Sequence, residues 1–196
     1  LPLHYAVLYQ AHDDSQSTLN TSSVSTKGIG MEVLVTLIRR YPAALTTQDG
    51  TRERSTPLHL ALGSCGLSLG TSPRQDTIKS LLWITPGEHA CSLKDGDGNL
   101  PLHLACHYGS FGVPMLRELL ETYPDAAYRT NANGELPLHL LAQSSSGSTT
   151  GNYLLEWRDA VSLLCDAIRY SPGALCVSPS TNPAEFELPL HIACEY

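Results

Sequence analysis

Basic residues are in short supply. The chain carries 12 Lys or Arg against 19 Asp or Glu in 196 residues, charged side chains make up only 16%, and the formal net charge is −7. A phosphate backbone wants a cationic face, so this shortage argues against nucleic acid as a partner. The deficit is uneven: residues 1–98 hold eight Lys or Arg and nine Asp or Glu, whereas residues 99–196 hold four and ten. A basic protein surface would suit the second half better. Long apolar runs are missing too. Ser, Thr, Gly and Pro break every uncharged stretch well before the roughly 18–20 apolar residues needed to span a bilayer, so no membrane insertion by this segment is expected. No signal-peptide pattern opens the chain. It starts at Leu1, inside a motif that recurs later, so it reads as a fragment of a longer protein whose native termini are not seen. With 42% apolar residues it can still bury a core.

Paired cysteines are absent as well. Cys65, Cys91, Cys106, Cys165, Cys176 and Cys194 are far apart, form no CxxC, and lie in or beside apolar segments. Reduced, buried thiols and an intracellular, cytoplasmic location are the expectation. In a secreted protein, to which the sequon at Asn20, Thr21 and Ser22 would point, six cysteines would leave the pairing open. No GxSxG, Walker A or HExxH signature is present, so the chain is read as having no catalytic residues, no cofactor and no metal, and as not being an enzyme. Asp95, Gly96, Asp97, Gly98 and Asn99 look faintly like a calcium loop, but the later ligands of an EF-hand are missing. These turn-forming residues predict a hairpin turn instead.

What the chain does have is repetition. Leu-Pro-Leu-His or a close variant occurs at Leu1–His4, Thr56–His59, Leu100–His103, Leu136–His139 and Leu188–His191, each followed by a small apolar run. Between copies lies an apolar i, i+3, i+4 pattern ending in proline: Leu34, Leu37, Ile38, Tyr41, Pro42; Ile78, Leu81, Leu82, Thr85, Pro86; Leu116, Leu119, Leu120, Tyr123, Pro124; Leu164, Ala167, Ile168, Ser171, Pro172. That spacing predicts amphipathic helices, stopped by a proline that cannot donate the next backbone hydrogen bond. Each unit therefore reads as helix, loop, helix, turn. Motif prolines are 55, 44, 36 and 52 residues apart, while the distance from the second helix to the next motif proline stays at 23, 23, 21 and 25. The length variation thus enters between the two helices of a unit, as low-complexity loops at residues 11–30, 63–75 and 143–152.

These words resemble the ankyrin repeat family, with its period of about 33 residues and its TPLHxA signature. Leu100 to Gly109 reads Leu-Pro-Leu-His-Leu-Ala-Cys-His-Tyr-Gly, and Asn131, Gly134 and Pro137 fall where the family turn would be, as do Asp95, Gly98 and Pro101 one unit earlier. The resemblance implies an all-α, ankyrin-like α-solenoid of stacked helix-loop-helix repeats with short hairpin-like turns. It would form a single array over 1–196, in units of about 1–55, 56–99, 100–135 and 136–187 with a partial unit at 188–196. Proline suits the first helical position, and the histidine two residues on can tie adjoining turns with both ring nitrogens. Four of the five copies replace the family's Thr by Leu, at Leu1, Leu100, Leu136 and Leu188. The exchange removes a capping hydroxyl worth about 1 kcal/mol, which burial of the leucine can offset. A Tyr-Pro-x-Ala-Ala ending also stands where the family has Gly-Ala-Asp.

Five histidines recur at one position, but in stacked units they would lie roughly 8–10 Å apart, too far to share an ion. His103 with Cys106 and His107, and His191 with Cys194, have zinc-compatible spacing without a matching second pair, so packed thiols are expected. By resemblance, the function is that of a protein–protein interaction module or scaffold, a monomeric array holding another protein on its concave face and turns. Contact candidates are Arg52, Arg54, Lys94, Asp95, Asp97, Arg129, Asn131, Asn133, Glu185 and Glu187, with Tyr5, His107 and Tyr108 on or after the first helices. Two alternatives are a regulatory or targeting segment of a larger enzyme or membrane protein, and a metal-binding or hydrolytic protein on a repeat scaffold.

Overall fold

A computed structural model describes residues 2–13, 26–63, 72–83, 87–108, 112–145 and 153–168. The described residues form helices joined by turns, with no strand among them. In chain order they form α1 (Pro2–Asp13), α2 (Thr26–Arg40), a 3-10 turn at Pro42–Leu45, α3 (Pro57–Gly63), α4 (Ser72–Trp83), α5 (Gly87–Ser92), α6 (Pro101–Tyr108), α7 (Gly112–Thr122), a second 3-10 turn at Pro124–Tyr128, α8 (Pro137–Ser145) and α9 (Tyr153–Ile168). The fold is all-α and ankyrin-like.

Every first helix of a pair starts on a motif proline, at Pro2, Pro57, Pro101 and Pro137. A missing N–H costs nothing at that position, and the fixed φ is already helical. The helices pair as α1–α2, α3–α4, α6–α7 and α8–α9, and the first helices line up as α1, α3, α6 and α8. The second helices touch across units as well, α2 with α4 and α7 with α9, while short α5 bridges α4 and α7. One core runs between the layers. It takes the second motif leucines Leu3, Leu58, Leu102 and Leu138 from one side and the faces Leu34/Ile38, Ile78/Leu81/Leu82, Leu116/Leu119/Leu120 and Ala160/Leu164 from the other.

Leu100 and Leu136, which stand where a capping Thr would be, are completely buried. Burying a leucine contributes roughly 2 kcal/mol, more than the hydroxyl cap it replaces. After α2 and α7 the chain does not go straight into a turn as the sequence suggests. Tyr41 and Tyr123 make the last helical bonds, to the Leu37 and Leu119 carbonyls, and the proline then opens a turn of 3-10 helix that buries Leu45 in one unit and Ala126 and Ala127 in the other. Small alanines let this turn lie against the core.

The expected loops at 11–30, 63–75 and 143–152 are shorter than their composition suggests. α1 runs to Asp13, α2 begins at Thr26, α4 begins at Ser72 and α8 runs to Ser145. A nucleated helix propagates through polar residues that can bond locally. Ser144 donates to the Leu141 carbonyl and the Gln143 amide to the Glu135 carboxylate. Residues 14–25, 64–71 and 146–152, the end of the fourth unit and the partial unit at 188–196 lie outside the described residues. The expected burial of thiols holds at Cys91 and Cys106 but not at Cys165, which is exposed. It follows Leu164, whose side chain is in the core, and one step along a helix turns about 100° away. Cys65, Cys176 and Cys194 lie outside the described residues.

Candidate partner-binding surface

Successive helix pairs are joined by turns at residues 49–55, 95–99 and 131–135. In each, the first residue's N–H meets the last residue's carbonyl: Asp49 to Ser55 at 2.9 Å, Asp95 to Asn99 at 2.9 Å and Asn131 to Glu135 at 3.0 Å. The first side chain then fills the loop from inside. Asp49 Oδ1 accepts from the Ser55 N–H, Asp95 Oδ1 from Asp97 and Asn99, and Asn131 Oδ1 from Asn133 and Glu135. Asp and Asn are favoured in turns because their side chains can satisfy the backbone a few residues ahead.

The turns are also bonded to one another. The Gly96 N–H donates to the Glu53 carbonyl at 2.6 Å and the Ala132 N–H to the Asp97 carbonyl at 3.0 Å. Side chains repeat the tie: the Gln48 amide donates to the Lys94 carbonyl and the Lys94 ammonium to the Thr130 carbonyl, both at 2.7 Å. The approach at Gly96 is so close that a Cβ there would stand 2.4 Å from the Arg52 carbonyl oxygen.

Behind each turn stands a motif histidine. His4, His59 and His103 reach the carbonyls of Ser55, Asn99 and Glu135 through Nε2, each at 3.1 Å. On the other ring nitrogen, Nδ1 of His59, His103 and His139 accepts the N–H of Thr56, Leu100 and Leu136, the residues that open their own helices. An Nδ1 that accepts leaves the proton on Nε2, so the rings of His59 and His103 are neutral donors to the next turn. In the copy that keeps Thr, the Thr56 hydroxyl also bonds His59 Nδ1 at 2.7 Å and accepts from the His59 N–H, so His59 completes a capping box in the role usually played by Glu or Gln. Burial holds these rings below the usual histidine range, His103 to about 4, against the opposing pull of the carbonyl bond. Both nitrogens of His59 and His103 are thus taken by the chain itself. Desolvation raises the Cys91 thiol to about 12 and lifts buried Cys106 as well, which leaves both as packed thiols. Among the described residues no three His, Cys, Asp or Glu side chains are grouped to hold a metal ion, and no helix is long and apolar enough to cross a membrane.

The sequence-derived contact candidates divide by what their side chains do. Asp95 and Asn131 are committed to their turns, and the Asn131 amide further links Asn99 Oδ1 to Glu135 Oε2. Burial would raise the Glu135 carboxyl, but the bonds from Asn131, Gln143 and Asn133 outweigh it and bring the group below its ordinary value. Arg52, Asp97 and Asn133 are exposed at the tips of the linked turns, so the structure brings them to one edge. Arg54 and Lys94 flank that edge, exposed but engaged with the Gln48 side chain and the Thr130 carbonyl. Arg129 is exposed and lies 3.9 Å from Asp125 one helical turn away, a weak surface pair. His107 and Tyr108 sit apart from the turn edge at the far end of α6, roughly 10 Å along the helix layer. Their rings meet edge to face at 5.0 Å, and Tyr108 leans over Gly63 of α3. Tyr5 is exposed on α1, whereas Glu185 and Glu187 lie outside the described residues. Sequence reasoning missed Gln48 and Gln143, whose amides hold the turn edge from 46 and 8 residues away. No local pattern marks either one.

Comparison with known families supports the resemblance over part of the chain. A family model described as an ankyrin repeat matches residues 97–128, from the tip of the second connecting turn through α6 and α7 to the end of the second 3-10 turn. No curated protein matches the chain.

Proposed function

Taking residues 97–128 as an ankyrin repeat on which neighbouring helix pairs stack through the same bonds, we propose that the chain is a protein-binding module. It holds its partner on the turn edge and on the exposed ends of the first helices. The observation that carries this reading is the rigidity of the edge. The main-chain bonds from Gly96 to Glu53 and from Ala132 to Asp97 lock three turns together, so Arg52, Asp97 and Asn133 are presented at fixed spacing with little left to order on binding. Arg and Tyr are, with Trp, the side chains most enriched among those that dominate protein interfaces, which makes Arg52 and Tyr108 the strongest of these contacts. Arg54, Lys94 and Arg129 flank them, whereas Asp95 and Asn131 position the turns.

The test compares two purified triple variants with the parent in capture of interacting proteins. One carries Arg52→Glu, Asp97→Lys and Tyr108→Ala, and the control carries the outer-helix changes Arg39→Glu, Arg117→Glu and Glu121→Lys. Loss of captured proteins from the first variant alone, with circular dichroism unchanged in both, is expected. Recovery of the same proteins by both variants would rule out this edge as the binding surface.

A further inference from the structure

Of the six asparagines in the chain, Asn133 alone is followed by glycine. In such a pair the glycine nitrogen can attack the amide carbon of the preceding side chain, because no Cβ shields it and the closure makes a five-membered ring. The asparagines of the described turns differ in how firmly they are held away from this reaction. Asn99 donates to Asp95 Oδ2 and accepts from Asn131, and it precedes Leu100, whose N–H is given to His103 Nδ1 at 3.2 Å. Asn131 is buried, accepts the N–H groups of Asn133 and Glu135, and donates to Asn99 and Glu135. The N–H that follows it, on Ala132, is tied to the Asp97 carbonyl at 3.0 Å.

Asn133 is exposed, and among the described residues its side chain makes one long bond, from Nδ2 to Glu135 Oε2 at 3.4 Å. The Gly134 N–H is held by the Asn131 carbonyl at 3.2 Å, a bond that closes only the tip of the turn. Its release leaves in place both the bond across the mouth, from Asn131 to Glu135, and the tie from Ala132 to Asp97. Gly134, with φ of 79°, has no Cβ to obstruct the swing of its nitrogen. Asp97 and Gly98 repeat the pair one turn earlier, but an ionised carboxylate is a far poorer electrophile than an amide.

We propose that Asn133 is a deamidation site that reacts within the folded chain and adds one negative charge to the turn edge. The Gly134 nitrogen bonds to Cγ of Asn133, the Cγ–Nδ2 bond breaks, and the proton from Gly134 leaves with Nδ2 as ammonia. Water then opens the resulting succinimide at one of its two carbonyls. Attack at Cγ gives aspartate, and attack at the main-chain carbonyl gives isoaspartate. The fold already accommodates the first product, since Asp97 holds the same place in the second turn, before Gly98 with φ of 77°. Glu53, Asp97 and Asn133 occupy equivalent, exposed places along the linked turns, so the reaction completes a row of three acids. The new carboxylate faces Glu135 Oε2, to which the amide had donated. Isoaspartate instead adds a methylene to the main chain, inside a turn whose last carbonyl, on Glu135, is taken by both Asn131 and His103. It loosens that junction, whereas aspartate leaves it closed. None of this depends on the partner-binding reading.

For the test, the folded chain and the variants Asn133→Gln and Asn133→Asp are warmed at neutral pH and sampled over time by ion exchange and mass-spectrometric fragment mapping. In the parent, a species more acidic by one charge should accumulate, with aspartate and isoaspartate both at position 133. Conversion at Asn99 and Asn131 should be slower by at least roughly tenfold, because further hydrogen bonds must open first. Asn133→Gln keeps the amide but would have to close a larger ring, so the acidic species should be absent, and the aspartate form should elute with Asn133→Asp. The Glu135 amide, bonded to Asn131 Oδ1, should exchange its hydrogen faster in the isoaspartate form than in the aspartate form. An acidic species that persists in Asn133→Gln would overturn the inference. So would conversion of Asn133 in the urea-unfolded chain while the folded chain stays intact.

Discussion

The first connecting turn, residues 49–55, is two residues longer than the second, residues 95–99, yet both end in the same bonds. Each is closed by an N–H to carbonyl bond across its mouth, filled by its leading aspartate and clasped from behind by a histidine. They differ at the residue before the last. The second turn has Gly98 with φ of 77°, and the third has Gly134 with φ of 79°, whereas the first has Arg54 with φ of 46°. A left-handed backbone costs a residue with a Cβ roughly 1–2 kcal/mol. Turn length and even the residue type at a strained position are therefore negotiable in this fold. The bonds that join one helix pair to the next are shared by both turns.

Acid should erase the distinction between the turns by releasing both. Burial depresses the rings of His4, His59 and His103 below the ordinary histidine value of 6.5. For such groups the unfolded chain binds protons first as pH falls, so the stability they lend is complete above about 6.5 and is lost as pH drops through the folded values. For His103, with its folded value of about 4, the loss should reach about 3 kcal/mol, read as a falling midpoint in urea titrations between pH 7 and 4. Next in size are the individual clasps. His59→Ala removes a ring that bonds the Asn99 carbonyl, the Thr56 N–H and the Thr56 hydroxyl, and should cost about 3 kcal/mol. His4→Ala, which frees the Ser55 carbonyl, should cost about 1 kcal/mol. A larger loss at His4 than at His59 would mean that the first turn is the tighter one.

Gly96→Ala should cost about 2 kcal/mol in the same titrations, because its methyl group meets main chain that cannot move aside. Asp95→Ala should cost about 1 kcal/mol, while Asp95→Asn should be nearly neutral, since Asn131 already makes the equivalent pair of bonds in the third turn. Smallest is a gain: Arg54→Gly should raise stability by roughly 0.5–1 kcal/mol by relieving the left-handed backbone. No gain there would show that the bond from Arg54 to Gln48 matters more than the strain.

Much of this architecture is legible in the sequence because its rules are local. The motif prolines mark the starts of α1, α3, α6 and α8, and the apolar spacing marks the buried faces of α2, α4, α7 and α9. Helix ends were less legible, as at Thr26, Ser72 and Ser145, where polar residues join a helix already nucleated. The contact edge was legible only as a list of turn residues. That Asp95 and Asn131 face inward while Asp97 and Asn133 face outward follows from an alternation within a five-residue turn. That Lys94 serves the next turn depends on a carbonyl 36 residues away.

Nitrogen NMR of the histidine rings in the intact chain probes the link between units most directly. His59 and His103 should each show the tautomer protonated at Nε2 and titrate below the ordinary histidine value, His103 near 4. Rings that titrate near 6.5 as a mixture of tautomers would contradict the bonded, buried clasp on which the stack depends.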